Sequence, residues 1–282
     1  MARLAQTEGL TDVQEAILDA VHSFVEKEII PVANELEHAD EYPQAIVDGL
    51  KKLGVFGLMI PEEYGGLGES LLTYALVVEE IARGWMPVSG VINTHFIVAY
   101  MLMQHGTQEQ KDKYLPRMAT GEVRGAFSMS EPGVGSDVSG ITSKAVRDGD
   151  GWSLTGQKMW LTNGGSSTLV AVLVRADEDA PADASVYKKM STFLIEKEPG
   201  FGEVRPGLTI PGKIEKMGYK GVDTTELIMD GLKLSNDDLL GGETGKGFYQ
   251  MMDGVEVGRV NVAARAAGLG LRAFELAIDY AQ

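Results

Sequence analysis

Ser130-Glu131-Pro132-Gly133-Val134-Gly135-Ser136-Asp137 is the stretch that decides this fold, with Gln157-Lys158-Met159-Trp160-Leu161-Thr162-Asn163-Gly164 as its companion one hairpin later. Each is polar, glycine-rich and bordered by small hydroxyls, and each closes a segment that reads as a β-strand. In the first, a strand through Phe127, Ser128, Met129 and Ser130 breaks at Pro132 and Gly133. Gly135 has no Cβ, so a ligand can approach its backbone closely. The amides of Val134 to Ser136, with the Ser136 hydroxyl, suit an anion-binding nest. Asp137 suits a loop stabiliser that accepts amide hydrogen bonds. The string is not a Walker loop, because Gly-Lys-Ser/Thr is absent, nor a dinucleotide fingerprint, because the third Gly is missing. A simple structural turn is the competing reading.

In the second string Trp160 ends a strand, and Thr162, Asn163 and Gly164 form a turn. An indole beside a threonine hydroxyl suits one face of a flat heteroaromatic ring, with the hydroxyl reaching a ring nitrogen. A core Trp next to a polar turn is the alternative.

Outward from these strings the pattern divides. Residues from about 11 to 122 read as helical. Thr11 and Gln14 have capping-box spacing, as do Thr107 and Gln110, and Val13, Ile17, Val21, Phe24 and Val25 recur at helical intervals. Pro31 should kink or end the first helix. Pro43 suits a first turn and Gly54 an end. Further helices are expected over Leu71 to Arg83, Val88 to His105 and Thr107 to Met118. Between about 123 and 236 come strand-like runs at Val123–Ser130, Ile141–Arg147, Trp152–Thr155, Thr168–Arg175, Thr192–Glu196 and Thr224–Met229. Asp148-Gly149-Asp150-Gly151 marks a hairpin, and the residues around Pro181 read as a surface loop. Helical spacing returns from about 245 through Phe248, Met251, Met252, Val255, Val260 and Leu269. The chain stops at Gln282 in mid-helix, without Gly, Asn or Pro and with Asp279 as its last charge, which suggests a piece of a longer protein.

Composition narrows the function. At 282 residues the chain suits two or three packed subdomains. Its 35 glycines, about 12%, exceed the usual ~7% and predict many tight turns. The net charge of −16 argues against a nucleic-acid partner, and an anionic ligand must then be held by backbone amides and a few placed cations. The absence of cysteine removes disulfides, thiol catalysis and thiolate metal sites, and it fits a reducing, cytoplasmic compartment. No apolar leader is visible in MARLAQTEGLTDVQ. Val88 to Met103, interrupted by Asn93, Thr94 and His95, reads as a buried helix too short and polar to span a bilayer. His22, His38, His95 and His105 lack metal-ligand spacing, so no metal site is expected. His95 reads first as a core histidine and second as a lining of an acyl pocket. Met101, Met103, Met251 and Met252 read as core fillers.

Taken together, the two strings resemble the paired signatures of the acyl-CoA dehydrogenase family of flavoenzymes, and the resemblance covers nearly the whole chain. It implies an α+β multidomain fold: an N-terminal α-helical domain (1–122), a central β-barrel (123–236) and the start of a C-terminal helical bundle (237–282). It implies FAD as cofactor. Phe127, Met129, Ser130, Gly135 and Ser136 would line the flavin and its pyrophosphate, with Ser130 near the pyrimidine end. Trp160, Leu161 and Thr162 would flank the ring, Thr162 near N5, and Ser136 would also face the pantetheine arm of the substrate. Glu256-Val257-Gly258-Arg259 matches the family's acidic-x-x-Arg segment for substrate binding, Arg259 being the CoA contact. An ordinary ion pair between Glu256 and Arg259 is the competing reading.

The implied reaction is α,β-dehydrogenation of an acyl-CoA to a trans-2-enoyl-CoA in fatty-acid β-oxidation. Electrons would leave through an electron-transfer flavoprotein, and the protein would be a homo-oligomer, a tetramer or a dimer. The catalytic glutamate lies, in most members, past the point where this sequence stops. Some members place it just before the arginine, where this chain has Gly258, and Glu256 is offset from it. The catalytic residue is therefore unassigned, and the 282-residue chain is expected to be inactive. The flavin-contacting segment that the family borrows from a neighbouring subunit is absent too. An acyl-CoA oxidase relative using O2 and a non-catalytic flavin- or CoA-binding subunit remain alternatives.

Overall fold

The computed structural model describes residues 9–177, 180–181 and 183–282. The leader-free reading of the first eight residues, and Glu178, Asp179 and Ala182 of the surface loop, lie outside the described residues.

Helix α1 (Asp12–Phe24) starts with the expected reciprocal cap. The Gln14 amide donates to Thr11 Oγ1 at 3.2 Å, and the Thr11 amide donates to Gln14 Oε1 at 3.1 Å. Pro31 does not stop the chain. A π turn over Val25–Ile29 leads into α2 (Ile30–Ala39), whose first turn holds the proline, where its missing N–H costs nothing. After α3 (Gln44–Lys52) comes α4 (Leu71–His105), which joins two expected helices across a break at Trp85, φ −160° and ψ 108°. Pro87 cannot donate, and its ring opposes the turn before it, so the helix opens two residues upstream. Helix α5 (Gln108–Ala119) repeats the reciprocal cap with Thr107 and Gln110.

The apolar helix is longer than Val88 to Met103. By length and composition α4 could cross a membrane, with a mean hydropathy of 1.3 in its most apolar window, but 78% of that window is buried inside the protein. It is the central strut. Val77, Ile81, Val88 and Ile92 join a core with Leu18 of α1, Val25 of the π turn, and Val47 and Leu50 of α3. Arg83 knots the helices at one end: it binds Glu80 at 2.8 Å and Glu275 at 3.1 Å, and also pairs with Glu26. Glu275 lies on α6 (Gly247–Ala281), so this buried arginine ties the last helix to α4 and to the π turn that follows α1.

The strands are β1 (Gly125–Ser128), β2 (Lys144–Asp148), β3 (Gly151–Thr162), β4 (Leu169–Arg175), β5 (Met190–Glu196), β6 (Gly202–Arg205), β7 (Leu208–Ile210) and β8 (Thr224–Leu234). They form one sheet in the order β1-β4-β2-β3-β8-β7-β6, with β5 on the other edge of β4. The Asp148–Gly151 hairpin forms as read, Gly149 supplying φ +60°. The expected barrel takes the form of a curled eight-stranded sheet. Its edges approach where Arg205 Nη1, on β6, donates to the Glu196 carbonyl at 3.2 Å. Trp152, Leu161, Val170, Val172, Phe193 and Leu227 fill its interior. The alternate residues of β4, Leu169, Ala171 and Leu173, pack against the helices with Val98, Leu102 and Leu115. A strand covered on both faces needs an unbroken apolar run, which Leu-Val-Ala-Val-Leu-Val provides.

Candidate functional site

The two signatures meet. The Met159 amide donates to the Ser130 carbonyl at 2.9 Å, laying the end of the first strand beside the second string. Glu131 and Val134 then close a tight turn over Pro132 and Gly133: the Val134 amide donates to Glu131 O at 3.0 Å and the Glu131 amide to Val134 O at 2.9 Å. Val134 is thereby removed from the expected nest, because its N–H is spent inside the turn. Among the described residues no group accepts from the amides of Gly135 and Ser136, and both residues are exposed. Asp137 does accept an amide, that of Ser139, at 3.0 Å.

Trp160 owes its position to a bulge. Lys158 and Leu161 are both buried although they are three apart, and residues three apart in a regular strand face opposite sides. The register of β3 against β8 shifts between them, and Trp160 takes φ +63°. A left-handed backbone costs a residue with a Cβ roughly 1–2 kcal/mol. The result is an indole thrown out of the sheet and 56% exposed. Leu161 departs from its expected role as a ring-flanking side chain: at 1% exposure it belongs to the sheet interior. Thr162 is half-buried and pairs with Thr224. Phe127 and Met129 are half-buried against the helical side of the sheet.

Behind this wall stands α4. Asn163, also at φ +63°, donates its Nδ2 to the carbonyls of Gly90 (3.0 Å) and Val91 (3.3 Å) and to Thr94 Oγ1 (2.7 Å). Thr94 in turn donates to Gly125 O at 2.8 Å, so one helix turn touches both the second string and the start of β1, the strand that leads to the first. The next residue, His95, is a core histidine: buried, with Nε2 donating to Phe56 O at 3.0 Å and burial holding its pKa down at about 4. Among the described residues no cluster could hold a metal.

One pair escaped the sequence reading. Lys158 and Glu131, 0% and 4% exposed at their side chains, form an ion pair of 2.9 Å that stitches the strings together. Glu131 also accepts from the Thr142 amide (2.7 Å), the Thr142 hydroxyl (2.8 Å) and the Ser143 amide (2.9 Å). Burial alone would raise its pKa, but the Lys158 charge and these donors outweigh it and bring it to about 2. A charged residue inside each glycine-rich string was the available signal.

On α6 the four-residue segment divides. Glu256 and Arg259 are exposed and form no ion pair with each other among the described residues, so that competing reading fails. Val257 corrects its assignment to substrate: its side chain is 3% exposed and lies in the helical core. Gly258 is buried against α4, where a Cβ would fall 2.9 Å from Ile97 Cδ1.

Sequence profiles of the acyl-CoA dehydrogenase N-terminal domain and middle domain match residues 11–122 and 126–232. The (2S)-methylsuccinyl-CoA dehydrogenase of Cereibacter sphaeroides is 37% identical over 97% of this chain, which spans 50% of that relative. An acyl-CoA dehydrogenase of Bacillus subtilis is 34% identical over 97% of this chain and 69% of its own length. Butyryl-CoA dehydrogenase from Megasphaera elsdenii superposes with a TM-score of 0.89 at 32% identity, covering 98% of this chain and 70% of that structure.

Proposed function

The chain belongs to the acyl-CoA dehydrogenase family, and on that premise we propose that it binds FAD along the Ser130–Trp160 wall and serves the α,β-dehydrogenation of an acyl-CoA thioester. FAD is the cofactor of this family. The observation that carries the reading is the Met159–Ser130 hydrogen bond of 2.9 Å, which joins the two strings into one surface. The residues fit the group. An exposed indole offers an apolar face, the Gly135 and Ser136 amides are free to donate, and a Cβ at Gly133 or Gly135 would meet nothing within 4 Å.

When bound, FAD supplies the hydride-accepting ring. This chain's own part is to hold and orient it. Trp160 covers a ring face, Thr162 offers a hydroxyl at its edge, and Ser130 with Phe127 and Met129 forms the floor. The Leu161 contribution is limited to its backbone. Gly135 and Ser136 hold the diphosphate, and Ser136 reaches the pantetheine arm. Arg259, solvent-facing on α6, is the cation for CoA, with Glu256 beside it and Gly258 letting α6 approach α4. No base is assigned, since Gly258 has no side chain.

The electron acceptor in this reading is an electron-transfer flavoprotein, the assembly a homo-oligomer, and the compartment the cytoplasm, in line with a chain free of cysteine. The test is a titration of the purified protein with FAD, followed by butyryl-, isovaleryl- and 2-methylsuccinyl-CoA with and without an artificial electron acceptor. Saturable FAD binding is the expected result for this chain, and bleaching of the flavin by one thioester is expected of a longer chain that supplies the catalytic base. Protein that stays colourless overturns it, and peroxide released without the acceptor reassigns it to an oxidase.

A further inference from the structure

We propose that Lys158 and Glu131 are a positioning pair that fixes the Ser130 turn relative to the Trp160 indole, and so sets the shape of the flavin-binding wall. The inference rests on the flavin reading above. Stability alone does not account for the pair. Two charges taken out of water cost several kcal/mol each, and well-packed apolar residues of the same volume commonly do as well or better. What the ion pair adds is direction.

Lys158 Nζ donates to Glu131 Oε1 at 2.9 Å and to the Met129 carbonyl at 3.1 Å, so one ammonium fixes the backbone on the near side of Ser130 and the side chain on its far side. Glu131 then uses its remaining lone pairs on Thr142 and Ser143, the residues that lead into β2. Three separate segments thus converge on one carboxylate. Lys158 is also the upstream anchor of the bulge, and Leu161 is its downstream anchor. Between two buried anchors, the intervening residues have one way to fit, with Trp160 left-handed and outside. Neither charged side chain is exposed enough to touch a ligand on the outer surface, so both act through the backbone they hold.

The test compares wild type with Lys158→Met, the double variant Lys158→Met/Glu131→Gln, and Thr142→Val. Each is followed by thermal melting, by FAD affinity from quenching of flavin fluorescence, and by visible circular dichroism of bound FAD. Lys158→Met strands a buried carboxylate and should melt well below wild type. The double variant removes both charges and should recover most of the melting temperature. Its FAD dissociation constant should stay about tenfold or more above wild type, the order expected when one hydrogen bond to the ligand is lost or misaligned. The dichroism of its bound flavin should change sign or shape. Thr142→Val, which removes one donor to Glu131 at an exposed position, should weaken FAD about threefold with an unchanged melting temperature. A double variant or a Thr142→Val protein with wild-type affinity and dichroism overturns the inference while leaving the flavin reading intact. Wild-type protein that fails to bind FAD overturns both.

Discussion

Gly135 and Gly164 lack the same side chain in opposite surroundings. A Cβ at Gly135 would meet nothing within 4 Å, whereas at Gly164 it would lie 2.0 Å from Thr225 Oγ1 and 3.0 Å from Leu161 Cδ2. The first string is an open rim and the second a packed wall. A surface that receives a large planar ligand needs both: free amides where the ligand is to lie, and a backing that does not yield. In the second string that backing comes from Asn163 on the α4 carbonyls and from the Gly165 amide, which donates to Asp223 Oδ1 at 2.7 Å.

The sharpest way to break the contrast is to add one methyl to each region. Gly164→Ala should cost about 3 kcal/mol, the upper end of overpacking penalties, because both clashing neighbours are themselves buried. Urea unfolding would measure it, and a loss below ~1 kcal/mol would mean that the wall yields. Asn163→Ala should come next at about 2 kcal/mol. It leaves two helix carbonyls and a threonine hydroxyl without their donor, and it places a Cβ without a polar tip at φ +63°.

The helix behind the wall should also carry a pH dependence between pH 7 and 5, above the acid range in which Glu131 of the rim string loses its charge. His95 has a folded pKa of about 4 against an ordinary 6.5, so below 6.5 the unfolded chain binds the proton that the folded one refuses. Stability should therefore fall by about 1.5–2 kcal/mol between pH 7 and pH 5 and continue falling toward pH 4. Thermal melts across that range check the slope, and His95→Gln should flatten it. The smallest effect belongs to the rim. Gly135→Ala should cost no more than about 0.5 kcal/mol of stability, yet it should weaken FAD binding, because the new methyl would stand beside the amides proposed to hold the diphosphate. A stable variant with unaltered FAD affinity would remove Gly135 from the site.

What the sequence made legible was local. The two capping boxes need residues three apart, and the Asp148–Gly151 turn needs four in a row, so both could be read without knowing the fold. The order of helical, strand-rich and helical segments followed from a change of hydrophobic period. The β6–β7 hairpin was missed because its strands are four and three residues long and β6 is largely solvent-facing, leaving no alternation to detect. The inward side chain of Leu161 could not be foreseen, because simple alternation does not anticipate an extra residue at Trp160. Pro31 promises a kink or an end to the first helix, and local rules do not say that the irregularity takes the form of a π turn just before it. The Lys158–Glu131 pair went unread for another reason: charged residues in a glycine-rich string look like solvent-facing ones until two positions 27 apart in sequence fold together.

The chain has three tryptophans, and only the one at the β3 bulge is turned outward: Trp85 on α4 is 7% exposed, Trp152 1% and Trp160 56%. Collisional quenchers such as acrylamide will therefore extinguish the red-edge emission of a single indole and spare the other two. The protein carries a built-in optical probe at the proposed binding surface, and ligand arrival there should be visible in unlabelled wild-type material as protection of that one emitter.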